Sequence, residues 1–349
     1  MSTLEDRIRR AWQGRISGCQ LGKPVERMSM IKGYDVLKDY LDKVQAEPID
    51  DYIVFEDGHG LTRECCRGHI LRSEPDDDIN YSVLALLMLE DHGADLTTAN
   101  VAQAWLQLLP AAQTYTAERA AYRVLLQEAD EWFAERGDPG FDLNLCSDNP
   151  FNDWIGAQIR ADVYGWVCPG NPALAADLAG RDAALSHRSD GVWGAVFVAA
   201  LGAALAVEPA ATAIETALQY IPDDSRSYAA VRLGLELVGN ENGGQAIRDA
   251  YADLSPVHTI NNLAIVVWAL MSHLDDFTAA IGSAVAAGLD TDCNGATVGA
   301  LWGLQGGDIP DHWTAPWQGR VGLTLAGHDE VTLDHLVDRT VQVAGNLAG

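Results

Sequence analysis

Two groups of carboxylates stand out as residues able to do chemistry: the unbroken run Asp76, Asp77 and Asp78, and the pair Asp290 and Asp292 far downstream. Two unit charges about 4 Å apart repel by roughly 4 kcal/mol at an effective dielectric of about 20, so five converging carboxylates need cations between them. The pattern predicts one metal site shared by both groups. Oxygen donors, few nearby histidines and no thiolate cluster favour magnesium, manganese or calcium over zinc.

The run Asp290-Thr291-Asp292-Cys293-Asn294-Gly295 also opens like a calcium-binding helix-loop-helix loop. Such a loop needs a bidentate Glu six residues after its Gly, and Leu301 stands there. Ala296 to Leu304 reads instead as a helix whose Gly295, Gly299 and Gly303 share one face, open to close approach by another backbone. Residues two apart on a helix point about 200° away from each other, which predicts that Asp290 and Asp292 lie in the loop before that helix.

The elements that must position these acids are mostly helical. Leu4, Ile8, Ala11, Trp12 and Ile16 recur at helical spacing behind the start signal Thr3, Glu5 and Asp6, with a stop expected near Gly22-Lys23-Pro24. Leu84, Leu87 and Met88 mark a buried helix opening after the first acidic run, which places those carboxylates at a helix N-terminus. Helical periodicity continues through Ala117 to Phe133, Ala173 to Ala184, Val192 to Val207, Ala210 to Tyr220, Ala229 to Val238, Asn262 to Leu274 and Phe277 to Ala287. Alternating strands are scarce. Gly137 to Pro172, rich in Asp, Asn, Pro and Gly, reads as irregular and therefore as a candidate functional segment. Asn261 and Asn262 read as caps of an apolar helix.

With no tandem repeat, low-complexity linker or compositional break, the economical reading is a single all-α domain over residues 1–349. A shared metal site also requires the first and last thirds to pack together. The net charge of −27, from 50 acidic against 23 basic residues, argues against duplex nucleic acid as a partner. The six cysteines include no Cys-x-x-Cys pair, which speaks against structural zinc and a disulfide scaffold. The charged first 15 residues and the Gly-interrupted apolar stretch Val192 to Val207 predict no membrane partner and a cytoplasmic protein.

Four segments in order carry a resemblance. They are Trp12 to Glu26 (WQGRISGCQLGKPVE), Asp76 to Asp78, Ser186-His187, and Asp290 to Ala296 (DTDCNGA). In order and spacing they resemble the successive motifs of the ADP-ribosylglycohydrolase family over nearly the whole chain. The resemblance implies a compact, orthogonal all-α helical bundle with a binuclear magnesium site, and an ADP-ribosylated protein or small molecule as substrate. It implies Asp76, Asp77, Asp78, Asp290, Asp292 and Cys293 as the ligand positions. Asp76 stands where Thr is usual, Ile79 where a second Thr is usual, and Cys293 where Thr or Ser contributes a hydroxyl. A thiol is a poor magnesium ligand.

The same resemblance implies Glu26 as the general base, with Asp77 and Asp292 as further catalytic carboxylates. Phe151 to Gln158 resembles, more loosely, the segment that holds diphosphate and ribose, and so implies Asn152 and Gly156 as substrate-binding residues; His187 matches a histidine near the ribose. The implied reaction is metal-dependent hydrolysis of the glycosidic bond of an ADP-ribosyl group. The departures at Asp76, Ile79 and Cys293 leave open a ribosyl N-glycosidase acting on a nucleoside-like metabolite, and a non-catalytic ADP-ribose-binding relative.

Overall fold

The computed structural model describes residues 2–129 and 139–348. Among them the chain is all-α: helices follow one another from Leu4–Arg27 to Leu333–Ala348, and the only sheet is one antiparallel hairpin, Arg320–Leu325 with His328–Thr332. One continuous apolar core runs from Ile8 to Ala344.

The first helix, Leu4–Arg27, starts on a reciprocal cap in which the Thr3 hydroxyl accepts from the Asp6 N–H and the Asp6 carboxylate accepts from the Thr3 N–H. Ile8, Ala11, Trp12 and Ile16, at the expected spacing, are fully buried. The helix does not stop at Gly22-Lys23-Pro24; it continues to Arg27 with Pro24 inside it. Tertiary packing outweighs the local stop signal here. The Thr291 hydroxyl donates to the Gly22 carbonyl over 2.9 Å, and a second helix lies against this turn.

That second helix is Thr291–Leu304, buried along its whole length. It runs antiparallel to the first in a seam of bare backbone, with Gly14 facing Gly299, Gly18 facing Gly295, Gly22 facing Thr291, and Gly303 facing Arg10. A Cβ added at Gly14 or Gly18 would stand 2.0 Å from a facing carbonyl oxygen. The expected close approach at Gly295, Gly299 and Gly303 therefore occurs against glycines of the same four-residue period in the first helix. The helix begins at Thr291, so Asp290 occupies its N-cap position while Asp292 lies in its first turn and not in the preceding loop. Gly288 and Leu289 both take left-handed backbone conformations (φ +78° and +63°), which turn the chain sharply into the helix. For Leu289 this costs about 1 kcal/mol or more.

Two more buried helices, Ser189–Leu205 and Thr259–Ser272, complete the centre. Both are apolar on nearly every side, as expected of helices enclosed by others. Pro172–Ala183, Ala210–Leu218, Arg226–Glu236 and Phe277–Ala286 pack around them, close to the spans expected from periodicity. Ala117 to Phe133 corresponds to helix Thr116–Glu128, and positions 130–133 lie outside the described residues. Positions 137 and 138 of the stretch expected to be irregular also lie outside them; from 139 on, it contains only short turns of helix, Asn144–Ser147, Ile155–Arg160 and Asp162–Trp166.

Candidate active site

Asp76 caps helix Asp77–His92, and its Oδ1 accepts from the Asp78 N–H over 3.0 Å. The terminal hairpin holds this turn in place. Ser73 exchanges backbone hydrogen bonds with Arg320 (2.9 Å) and Gly322 (2.8 Å), and Asn80 accepts from the Thr324 N–H (2.9 Å) and donates to its hydroxyl (2.8 Å). On the opposite side Asn262 fixes the second acidic turn: its Oδ1 accepts from the Asp290 N–H (3.2 Å) and from Asn294 Nδ2 (2.8 Å). Asn261 and Asn262 thus sit within a helix, and Asn262 braces the turn.

The glycine seam brings both turns to the end of the first helix. Three sets of donor atoms, each mutually within 4.8 Å, result: Glu26, Asp290 and Asp292; Asp78, Asp292 and Cys293; Cys19, Asp76 and Asp78. Asp78 and Asp292 belong to two sets each and link all three. Asp77 is half-buried on the wall of the adjoining cavity and belongs to none of the sets. The cavity measures about 480 Å³, within the usual range for small-molecule sites. Its acidic wall carries Glu26, Asp76, Asp77, Asp290 and Asp292 together with Lys23 and Cys293; Tyr81, Tyr115, Glu118, Trp154 and Gly156 face them.

Two cations serve the acids, half-buried Lys23 and fully buried Arg15. Lys23 is hydrogen-bonded to Asp76 Oδ2. Arg15, fully buried, donates to Asp162 over 2.7 Å, to Asp78 Oδ1 over 3.2 Å and to the Asp78 carbonyl over 2.8 Å. These do not suffice to neutralise the cluster. Burial, then repulsion from Asp292, Asp76 and Asp77, pushes Glu26 up to about 10. Burial and then Asp76 push Asp292 up to about 6, and burial with neighbouring carboxylates raises Asp77 and Asp290 well above the carboxylate range. Asp78 is raised too, because burial outweighs Arg15. Asp76 alone moves down: burial opposes ionisation there, but the charge of Lys23 and its hydrogen bond prevail.

The donors fit a hard divalent cation. Asp78 Oδ2, Asp290 Oδ1 and Asp292 Oδ1 are buried without a hydrogen-bond partner among the described residues, a costly state for a carboxylate unless a cation meets it. Cys293 contributes a buried thiol, pushed well up first by burial and so held protonated.

The wall facing the acids rests on a second polar network. Arg160, buried, donates to Glu118 (2.7 Å), Asp182 (2.8 Å) and the Ser186 hydroxyl (2.9 Å), and Ser186 Oγ lies 2.8 Å from His187 Nδ1. A Cβ on Gly156 would stand 2.1 Å from Glu118 Oε1, so any side chain at this position must push the Glu118 carboxylate off its bond with Arg160. The Gly156 segment is anchored by the Ile155 N–H on the Val257 carbonyl (2.9 Å) and the Thr259 N–H on the Asp153 carbonyl (3.0 Å).

Of the residues singled out in the sequence, Glu26, Asp76, Asp77, Asp290, Asp292, Cys293 and Gly156 line one cavity, with Asp78 buried behind them. Asn152 and His187 lie behind the facing wall. Asn152 donates to the Ser147 carbonyl (3.3 Å) and its own carbonyl accepts from the Arg188 N–H (3.1 Å), while His187 Nε2 lies 3.8 Å from Glu118 Oε1. Burial pushes His187 well below the usual histidine range and keeps it neutral. Lys23, Cys19, Arg15, Glu118 and Tyr115 escaped the sequence reading. A signal for Lys23 existed: a cation in the glycine-spaced run matches the unusual third carboxylate at Asp76.

Among solved structures the chain is similar to an "ADP-ribosylglycohydrolase-related protein complex", with a TM-score of 0.62, 19% identity and 99% of each chain covered, which establishes the shared fold. No curated protein matches the sequence. The sequence profile of the ADP-ribosylglycohydrolases matches residues 1–346, nearly the whole of the chain that builds this acid-walled cavity, and the chain belongs to that family.

Proposed function

We propose that the protein hydrolyses the glycosidic bond of an ADP-ribosyl group in a metal-dependent reaction, releasing ADP-ribose from a modified protein or small molecule. The observation that carries this reading is the convergence of unpartnered, buried carboxylate oxygens on Asp78, Asp290 and Asp292 beside Glu26 at a cavity of about 480 Å³. Asp76, Asp78, Asp290 and Asp292 offer two cation positions, one on the Asp76 side and one on the Asp290 side, with Asp77 and the Cys293 thiol at their edge. Magnesium is the first choice for such hard oxygens, and manganese and calcium share the preference. When bound, the metal supplies Lewis-acid polarisation of ribose hydroxyls and water and stabilises charge in the transition state.

The chain's own residues do the rest. Glu26 accepts the proton of the attacking water, and its carboxylate form requires positive charge nearby, since burial and Asp292 otherwise hold it up at about 10. Asp292, in the same donor set, would share the cation with Glu26, and Asp77 presents a carboxylate on the wall of the cavity. Tyr115 and Trp154 offer aromatic faces to a base, and Gly156 lines the same side of the cavity, where the ribose-diphosphate would lie. Asn152 and His187 hold that wall from behind. Because both acidic groups serve one site, we read the chain as one domain, 1–349. Its six free, buried thiols accord with a reducing, cytoplasmic setting, and among the described residues no helix is long and apolar enough to cross a membrane.

The test is release of ADP-ribose from a modified acceptor, with and without chelator, by the wild type and by Asp292→Ala. Activity lost in chelator, restored by magnesium and absent in the variant is expected; turnover that persists in chelator refutes the metal role.

A further inference from the structure

Lys23 and Arg15 each have a carboxylate partner at the acidic wall, but the two ends of the cluster are treated differently. At the Asp290 end, Asp290 Oδ1 and Asp292 Oδ1 are buried and unpartnered among the described residues, and so is Oδ2 of Asp78, which joins the two ends. At the Asp76 end both oxygens are used: Oδ1 accepts from the Asp78 N–H (3.0 Å), and Oδ2 accepts from the Lys23 ammonium. Lys23 stands one helical turn before Glu26, so both side chains face the cavity. Its backbone is fixed by the bare contact of Gly22 with Thr291 and Asp292. An ammonium is a compact point charge with three donors and no acceptor, suited to filling a cation position among oxygens.

We propose that the Lys23 ammonium permanently holds the Asp76-side cation position, so that this protein takes a single divalent ion, on the Asp290–Asp292 side. This inference rests on the metal reading given above. A divalent ion at the Asp76 side must displace the ammonium from its carboxylate and leave a half-buried lysine beside an added positive charge. Removing the ammonium opens a second position whose donors are already in place: Asp76, Asp78 and the Cys19 thiol, mutually within 4.8 Å.

The experiment strips wild type and Lys23→Met with chelator, titrates each with Mn²⁺ by equilibrium dialysis, and records the Mn²⁺ electron paramagnetic resonance spectrum at saturation. Two manganese ions about 4 Å apart, the usual spacing of paired sites, couple magnetically, and a single ion does not. Expected are one equivalent with an uncoupled six-line spectrum for wild type, and two equivalents with a coupled spectrum for Lys23→Met. Lys23→Arg, which keeps the charge, should retain one equivalent. Two equivalents in wild type overturn the proposal whether or not the variant folds, and so does one equivalent in folded Lys23→Met. Binding of no ion by either protein overturns the metal reading itself and this inference with it.

Discussion

Gly22→Ala tests the link between the helix seam and the proposed metal site. A Cβ at Gly22 would lie 2.3 Å from the Thr291 carbonyl carbon and oxygen and 2.4 Å from the Asp292 nitrogen, where ordinary contact begins at 3.4 Å. All three are backbone atoms that cannot rotate away, so the helices must part by about 1 Å at this level. Overpacking of this kind costs about 3 kcal/mol at its upper typical value, and the gain in helix propensity returns about 1 kcal/mol. The net loss of about 2 kcal/mol corresponds, for a chain of 349 residues, to a melting temperature lower by roughly 3 °C. Because coordination tolerates only about 0.2 Å, the same displacement of Asp292 should weaken metal binding about tenfold or more. Gly14→Ala meets an equally close backbone but about 12 Å further along the axis, so it should lower stability with a smaller effect on the ion. Gly345→Ala, with nothing within 4 Å of the added Cβ, should be neutral or slightly stabilising. Differential scanning fluorimetry and calorimetric magnesium titration read both effects. A Gly22→Ala protein with unchanged melting temperature and metal affinity would refute the reasoning.

Two further outcomes follow from charge. Asp292 titrates at about 6 in the ion-free fold, above its unfolded value of roughly 4. Its contribution to stability is therefore complete below the unfolded value and is lost as pH rises through about 6. In chelator, Asp292→Asn should gain melting temperature relative to wild type between those limits, and saturating magnesium should reverse the order at pH 7; parallel curves in chelator would count against the repulsive cluster. Arg15→Met strips the guanidinium from buried Asp78 and Asp162 and should cost about 3–5 kcal/mol, measured by urea unfolding, whereas a loss below about 1 kcal/mol would show that these acids are neutral in the fold.

The sequence made the acids legible because clustered like charge has few explanations, and it made most helices legible because apolar spacing survives in Leu4 to Ile16 or Pro172–Ala183. What it hid depended on distant partners. Gly22-Lys23-Pro24 looks like a helix stop until Thr291 lies against it, and Asp292 looks like a loop residue until the Gly288–Leu289 turn starts the helix early. The equal four-residue period of Gly14, Gly18 and Gly22 and of Gly295 and Gly299 was present in the sequence as a hint that these runs meet. Nothing local marked Glu118 as part of the cavity wall, or placed Asn152 and His187 behind it, since burial of a polar residue is decided by what packs over it.

The seam joining Leu4–Arg27 to Thr291–Leu304 also bears on biosynthesis. A chain emerging from the ribosome presents its first helix long before the partner of that helix has been translated. Until then three glycines in the first helix leave its backbone open to water and lower its intrinsic stability. Contacts of such long sequence separation form late and slowly. The nascent protein must therefore wait until its final third arrives before the two acidic turns meet, which makes the assembled cavity a mark of completed folding.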